Sequence, residues 1–245
     1  MHKPAESARQ LEEHPQLPTA DCERVSGYGV MGLPFDSGHV LGLRRWTASS
    51  VGDGYTSIWH RDPAGNWTFY QSAPAEIACT RYFGADVERV QTGPIAVDWQ
   101  GERRLHIHTP DGAVEWTVEL GSTPITRMMS VAGAALPLRA WRSRAVLSAM
   151  GRVAGRSLRV GTVKLTGMTS NGQPFHANPL RIWLVTDSHA VVEGQVLGSP
   201  GPLAEQAHLA DFYIPQRGIF AIGRFFATRV PAEVPAAELP AEVLR

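Results

Sequence analysis

The stretch Val97-Asp98-Trp99-Gln100-Gly101-Glu102-Arg103-Arg104-Leu105-His106-Ile107-His108-Thr109-Pro110-Asp111-Gly112-Ala113-Val114-Glu115-Trp116-Thr117-Val118-Glu119-Leu120 decides the fold class. Val97 and Trp99, then Leu105 and Ile107, then Val114, Trp116, Val118 and Leu120 fall at alternate positions, with Asp98, His106, His108, Glu115, Thr117 and Glu119 between them. That period of two belongs to strands with one buried and one wet face. Gln100-Gly101-Glu102 and Thr109-Pro110-Asp111-Gly112 separate the runs. In the second, Pro fixes φ, Asp bonds the backbone and Gly accepts positive φ. The reading is three antiparallel strands joined by two hairpins.

Working outward, Tyr55 to His60 and Trp67 to Gln71 read as hairpin partners around Asp62-Pro63-Ala64-Gly65-Asn66, preceded by a strand from Val40 to Trp46. Ile77 to Phe83 and Val87 to Gln91 continue the strand pattern less regularly. After Pro137 the period changes: Leu138, Trp141, Ala145, Ala149 and Val153 form an apolar stripe, predicting one helix over 138–154 with Gly155 as its stop. Strands are expected again at Leu158 to Leu165, Leu180 to Thr186, Ala190 to Val196 and Gly218 to Thr228, with Ser170-Asn171-Gly172 and Asp187-Ser188 as turns. Residues 1–24 read as a flexible polar leader, 25–228 as a single β domain with one inserted helix, and 229–245 as an exposed Pro/Ala/Glu tail. Roughly a dozen strands favour a closed or nearly closed antiparallel barrel, which removes exposed sheet edges.

A chain of 245 residues with 43% hydrophobic content suffices for one barrel-like domain. Its 23 basic residues balance 23 acidic ones, which argues against duplex DNA or an anionic membrane surface as partner. All but Lys3 and Lys164 of the basic residues are Arg, read as a codon preference distributed along the chain. Cys22 and Cys79 are expected as free thiols in a reducing cytosol, so the expected location is cytoplasmic. No apolar signal region and no run of membrane-spanning length is seen, so membrane insertion is not expected.

Gly54-Tyr55-Thr56-Ser57-Ile58-Trp59 followed by Gly65-Asn66-Trp67-Thr68-Phe69-Tyr70 resembles the lipocalin-type half-barrels of the carotenoid-hydratase-like (hydroxyneurosporene-synthase-like) group of the calycin superfamily. The resemblance covers about Gly38 to Leu120 and implies an antiparallel barrel around a ligand cavity; no catalytic residue of that family maps onto a position of this chain. Asn171-Gly172-Gln173-Pro174-Phe175 and Asp211-Phe212-Tyr213-Ile214-Pro215-Gln216-Arg217-Gly218 resemble a group of uncharacterised bacterial proteins, which implies no activity.

Gly27-Tyr28-Gly29-Val30-Met31-Gly32 satisfies G-x-G-x-x-G, with Asp53 downstream, but lacks the preceding hydrophobic strand and following helix that a dinucleotide site requires. No cofactor is implied. His106 and His108 share a strand face near Glu115, a geometry a metal uses. That face is the polar one and the spacing is not a cupin pattern, so solvent-facing histidines without metal are expected. His60 and Asp62 at a hairpin rim, with His39 nearby, are the candidates for acid–base catalysis. No G-x-S-x-G elbow, Ser-x-x-Lys or P-loop occurs.

Trp46, Trp59, Tyr70, Trp99 and Trp116 all fall in expected strands and are the candidate ligand-binding residues. The leading expectation is a β-barrel protein binding a hydrophobic small molecule of isoprenoid, steroid or polyketide type. The alternatives are a cofactor-free hydratase, isomerase or cyclase acting on such a ligand, and a non-enzymatic interaction module with a solid core.

Overall fold

The computed structural model describes residues 3–137 and 139–229. The strands are β1 (Glu23–Val30), β2 (Leu33–Pro34), β3 (Val40–Ser49), β4 (Tyr55–Arg61), β5 (Trp67–Gln71), β6 (Arg89–Thr92), β7 (Ala96–Gln100), β8 (Arg104–His108), β9 (Val114–Gly121), β10 (Thr166–Met168), β11 (Pro174–Val192), β12 (Gln195–Val196), β13 (His208–Leu209), β14 (Phe212–Tyr213) and β15 (Ile219–Ala227). The α-helices are α1 (Pro4–Glu13), α2 (Thr80–Phe83), α3 (Pro124–Ala135) and α4 (Arg144–Leu158).

The main sheet runs β6-β5-β4-β3-β1-β15-β11-β9-β8-β7, mainly antiparallel with β5 and β6 parallel. The meander β7-β8-β9 forms as expected, with Val97 opposite Ile107 and Ile107 opposite Trp116. The expected barrel is corrected to an open sheet ending at β6 and β7. The physical reason lies in the strand faces. Leu41, Leu43, Ile58 and Tyr70 enter one hydrophobic cluster, whereas Val40, Tyr55, Trp59 and Phe69 enter another on the opposite side. A sheet apolar on both faces is covered by layers on both sides, which protects it without closure.

Several elements differ from expectation. Within 1–24, residues Pro4–Glu13 form α1, with Ala5 and Ala8 buried and Glu12 accepting a 2.6 Å hydrogen bond from the Tyr28 hydroxyl. Ile77 to Phe83 contains the short helix α2 in place of a strand. Asp187-Ser188 is no turn: β11 is one long strand that pairs with β15 up to Leu184 and with β9 from Leu184 onward, its register with β9 shifting between Val185 and Asp187. The helix expected over 138–154 is a 3-10 turn at Ala140–Arg142 followed by α4, its first residue Leu138 lying outside the described residues, and α3 precedes them where no helix was expected. Thr123 and Thr126 cap α3 reciprocally, with Pro124 in its first turn. Gly155 does not stop α4. A Cβ there would lie 2.4 Å from the Gly161 carbonyl oxygen, and one on Gly151 2.3 Å from that of Val163. The glycines let the returning chain pack directly on the helix, so Leu158 to Leu165 leaves the helix as irregular chain instead of forming a strand. The tail beyond Arg229 lies outside the described residues.

The glycine motif lies in β1. A Cβ at Gly27 would stand 2.0 Å from the Arg45 carbonyl oxygen, and at Gly29 1.9 Å from that of Leu43. Close approach to the β3 backbone accounts for both glycines. Cys22 and Cys79 are free thiols, and no helix among the described residues is long and apolar enough to cross a membrane.

Candidate functional site

A cavity of about 500 Å³ lies between one face of the sheet and the pair α3–α4. Its floor includes Trp46, Tyr55 and Trp59 from β3 and β4 and Phe225 from β15; Met129 and Met150 line it from the helices. Phe212 enters from the β13-β14 hairpin, whose turn places Ala210 at φ 46°. The volume suits a small organic ligand, and the lining is overwhelmingly apolar.

Arg44 interrupts that lining. It shares a strand face with Val40 and Trp46 and is 2% exposed. Its Nη1 donates to the carbonyls of Val30 at 2.6 Å and Leu43 at 2.8 Å, and Nη2 to that of Met31 at 3.2 Å. The guanidinium carbon lies 4.3 Å from the Trp59 ring centroid and 5.3 Å from that of Phe212. Burial pushes its pKa down to about 10, which leaves it charged at neutral pH. Charge-assisted hydrogen bonds contribute about 1.5–3 kcal/mol each and a desolvated cation–π contact about 2 kcal/mol. Burying the ion costs several kcal/mol. Carbonyls and rings hold the group in place, but among the described residues no carboxylate pairs with it. Further polar atoms on the lining, Asn178 Oδ1 and Arg224 Nε, are buried without a hydrogen-bond partner.

Of the residues expected to bind ligand, Trp46 and Trp59 line this cavity. Trp116 is in the opposite core, donating from Nε1 to Ser188 Oγ at 2.9 Å; Trp99 packs edge-on against Phe220, and Tyr70 donates to Glu193 at 3.2 Å. The catalytic candidates His39 and His60 meet elsewhere, outside the cavity lining. His39 Nδ1 and His60 Nε2 are 2.9 Å apart between near-parallel rings, 4% and 8% exposed. Burial, then the neighbouring His39, pushes the His60 pKa down to about 4; burial also lowers that of His39. The pair is a neutral hydrogen-bonded unit at pH 7. Asp62 is engaged by its own turn, accepting from the Asn66 backbone at 2.8 Å and side chain at 3.0 Å. Burial opposes ionisation of Asp62, but these bonds outweigh it and lower its pKa.

Arg44, Asn178, Arg224 and Phe212 are additions that sequence reading missed. Arg44 carried a signal, since Val40, Gly42, Arg44 and Trp46 share one parity within an apolar strand. For a cation, Asp98 on β7 joins His106 and His108 on β8, with one donor atom of each within 4.8 Å of the others.

Fold and site together define a helix-covered open β-sheet with a ligand-sized apolar cavity. No family model and no curated protein matches the chain. Among solved structures it is similar to the crystal structure of acetoacetate decarboxylase from Legionella pneumophila subsp. pneumophila str. Philadelphia 1, at 9% identity over 91% of this chain and 95% of that chain, with a TM-score of 0.40. The reading of function therefore rests on this chain's own residues.

Proposed function

We propose that this protein binds an apolar small molecule carrying one acidic group, of the isoprenoid, steroid or polyketide class. The supporting observation is the buried Arg44 guanidinium, held by three carbonyls beside an apolar cavity and without a carboxylate partner among the described residues. The apolar body occupies the space between Trp46, Trp59 and the helices, and the acid meets Arg44, where low polarity strengthens the ion pair. Binding and carriage are favoured over hydration or isomerisation, because the buried His39–His60 pair lies outside the cavity lining.

The test is native mass spectrometry of the purified full chain, with extraction of anything released, and tryptophan quenching by matched apolar acids and alcohols. Stoichiometric binding with preference for the acids is expected. Absence of any apolar ligand and of quenching by the whole series overturns the proposal.

A further inference from the structure

We propose that the outer surface of α3 and α4 docks this protein on an anionic lipid surface, with the cavity mouth against the bilayer. Residues 120–186 contain nine basic residues, Arg127, Arg139, Arg142, Arg144, Arg152, Arg156, Arg159, Lys164 and Arg181, and no Asp or Glu. The first seven are exposed, and none of them forms an ion pair among the described residues. The overall charge balance, read from sequence as arguing against an anionic membrane, averages this segment with an acid-containing remainder. Counting arginines along the whole chain hid the local lack of acids.

Apolar side chains stand among those charges. Met128 is 64% exposed, Val131 71% and Val153 55%. Ile125, Met128 and Val131 recur every three residues along α3, and Val153 projects from α4. Met128 and Val153 also line the cavity, so its entrance lies at this face. Exposed Met, Val and Ile interspersed with unpaired Arg have the composition of interfacial helices, whose apolar side chains enter the acyl boundary while cations meet lipid phosphates. A nucleic acid satisfies the arginines alone, and this surface offers no exposed aromatic ring for base stacking. Docking here requires no inserted helix and lets an apolar acid pass between bilayer and cavity without crossing water. Only that route rests on the binding reading; the surface itself does not.

The experiment is flotation of the full chain with vesicles of phosphatidylcholine alone or mixed with phosphatidylglycerol, at low and high salt. Flotation only with the anionic vesicles, weakened by salt, is expected. The pair Met128→Asp with Val131→Asp, and separately Arg152→Glu with Arg156→Glu, should each reduce partitioning by about tenfold or more while leaving the circular dichroism spectrum and melting temperature unchanged. Failure to float with anionic vesicles, or variants that float like the parent, overturns the proposal. A gel shift with an RNA oligonucleotide in the absence of flotation reassigns the face to nucleic acid. Quenching by apolar acids, measured on the same samples, separates the readings. Flotation without quenching removes the ligand reading, and quenching without flotation removes the docking surface.

A different observation carries a second site. We infer that Asp98, His106 and His108 hold a borderline divalent cation such as Zn²⁺. His108 Nδ1 is buried without a hydrogen-bond partner and stands 3.7 Å from Asp98 Oδ2. That is too long for a hydrogen bond, but close to the roughly 3.3 Å between two donors each bound at about 2.0–2.1 Å to one tetrahedral ion. The antiparallel register puts Asp98 opposite His106, and the two imidazole rings stack at 4.8 Å. Glu115, 2.9 Å from His106 Nε2, adds a carboxylate at the rim. Two imidazoles with a carboxylate suit zinc over calcium or magnesium. Calorimetric titration of the untagged full chain with Zn²⁺ alone should show one equivalent bound, reversed by chelator. Asp98→Asn with His108→Gln should abolish uptake without changing the melting temperature of the metal-free protein. No uptake, or uptake unchanged in that variant, overturns the assignment.

Discussion

The Arg44 guanidinium lies 4.3 Å from the ring centroid of Trp59, and that indole is itself stacked at 4.7 Å on Phe69 from the neighbouring strand. A cation is thus seated on an indole that walls the cavity and is backed by a second ring. Replacing Arg44 by Leu should weaken binding of an apolar acid at least about tenfold while leaving the matched alcohol unaffected. Loss of the donor leaves three carbonyls without it, at about 1–3 kcal/mol each, offset by removal of a desolvated charge whose burial costs several kcal/mol. The melting temperature should therefore move little. Equal loss for acid and alcohol in the quenching assay refutes the anion-anchor role.

The His39–His60 pair should confer a pH dependence on stability. His60 has its folded pKa depressed to about 4 by burial and by His39, so the unfolded chain takes up more protons between that value and the ordinary 6.5. Its contribution is full above about pH 6.5 and is lost as pH falls towards 4. The melting-temperature gap between the parent and His60→Gln should shrink steadily from pH 7.5 to pH 4.5. A gap that widens on acidification contradicts the neutral pair.

Gly29→Ala should destabilise the fold by about 2–4 kcal/mol, because the added Cβ would lie 1.9 Å from the Leu43 carbonyl oxygen and would push β1 from β3. Chemical denaturation measures this. Gly112→Ala is the contrasting control: no heavy atom lies within 4 Å of the added group, and only the cost of its φ of 74° remains.

Trp116 and Trp46 should separate packing from binding. Trp116 is fully buried in the core on the face opposite the cavity, so Trp116→Ala should cost about 3–5 kcal/mol of stability. Trp46 is only half-buried and lines the cavity, so Trp46→Ala should weaken ligand binding with a much smaller change in denaturation midpoint. The reverse pattern would place the ligand on the other face of the sheet.

The alternation from Val97 to Leu120 and the Asp62-to-Asn66 turn were legible because hairpins are local: their register depends on side-chain parity and turn chemistry a few residues apart. That information named a mainly β protein and put Trp46 and Trp59 among the binding candidates. Closure was not legible. Whether β6 and β7 meet depends on what covers each sheet face, and the two-sided burial of β3 to β5 was settled by packing against α1 and distant strands on one side and against α2 and the 203–214 segment on the other. The same holds for Arg44, whose partners Val30 and Met31 come from the end of β1 and Phe212 from β14, and for Gly155, a stop signal by local propensity that became a packing surface. The 97–120 meander and the β4-β5 hairpin were determined by the sequence alone, because they are written in nearest-neighbour chemistry. The open sheet, the cavity and the cation in its wall were decided by tertiary structure, because burial and desolvation depend on residues that only folding brings together.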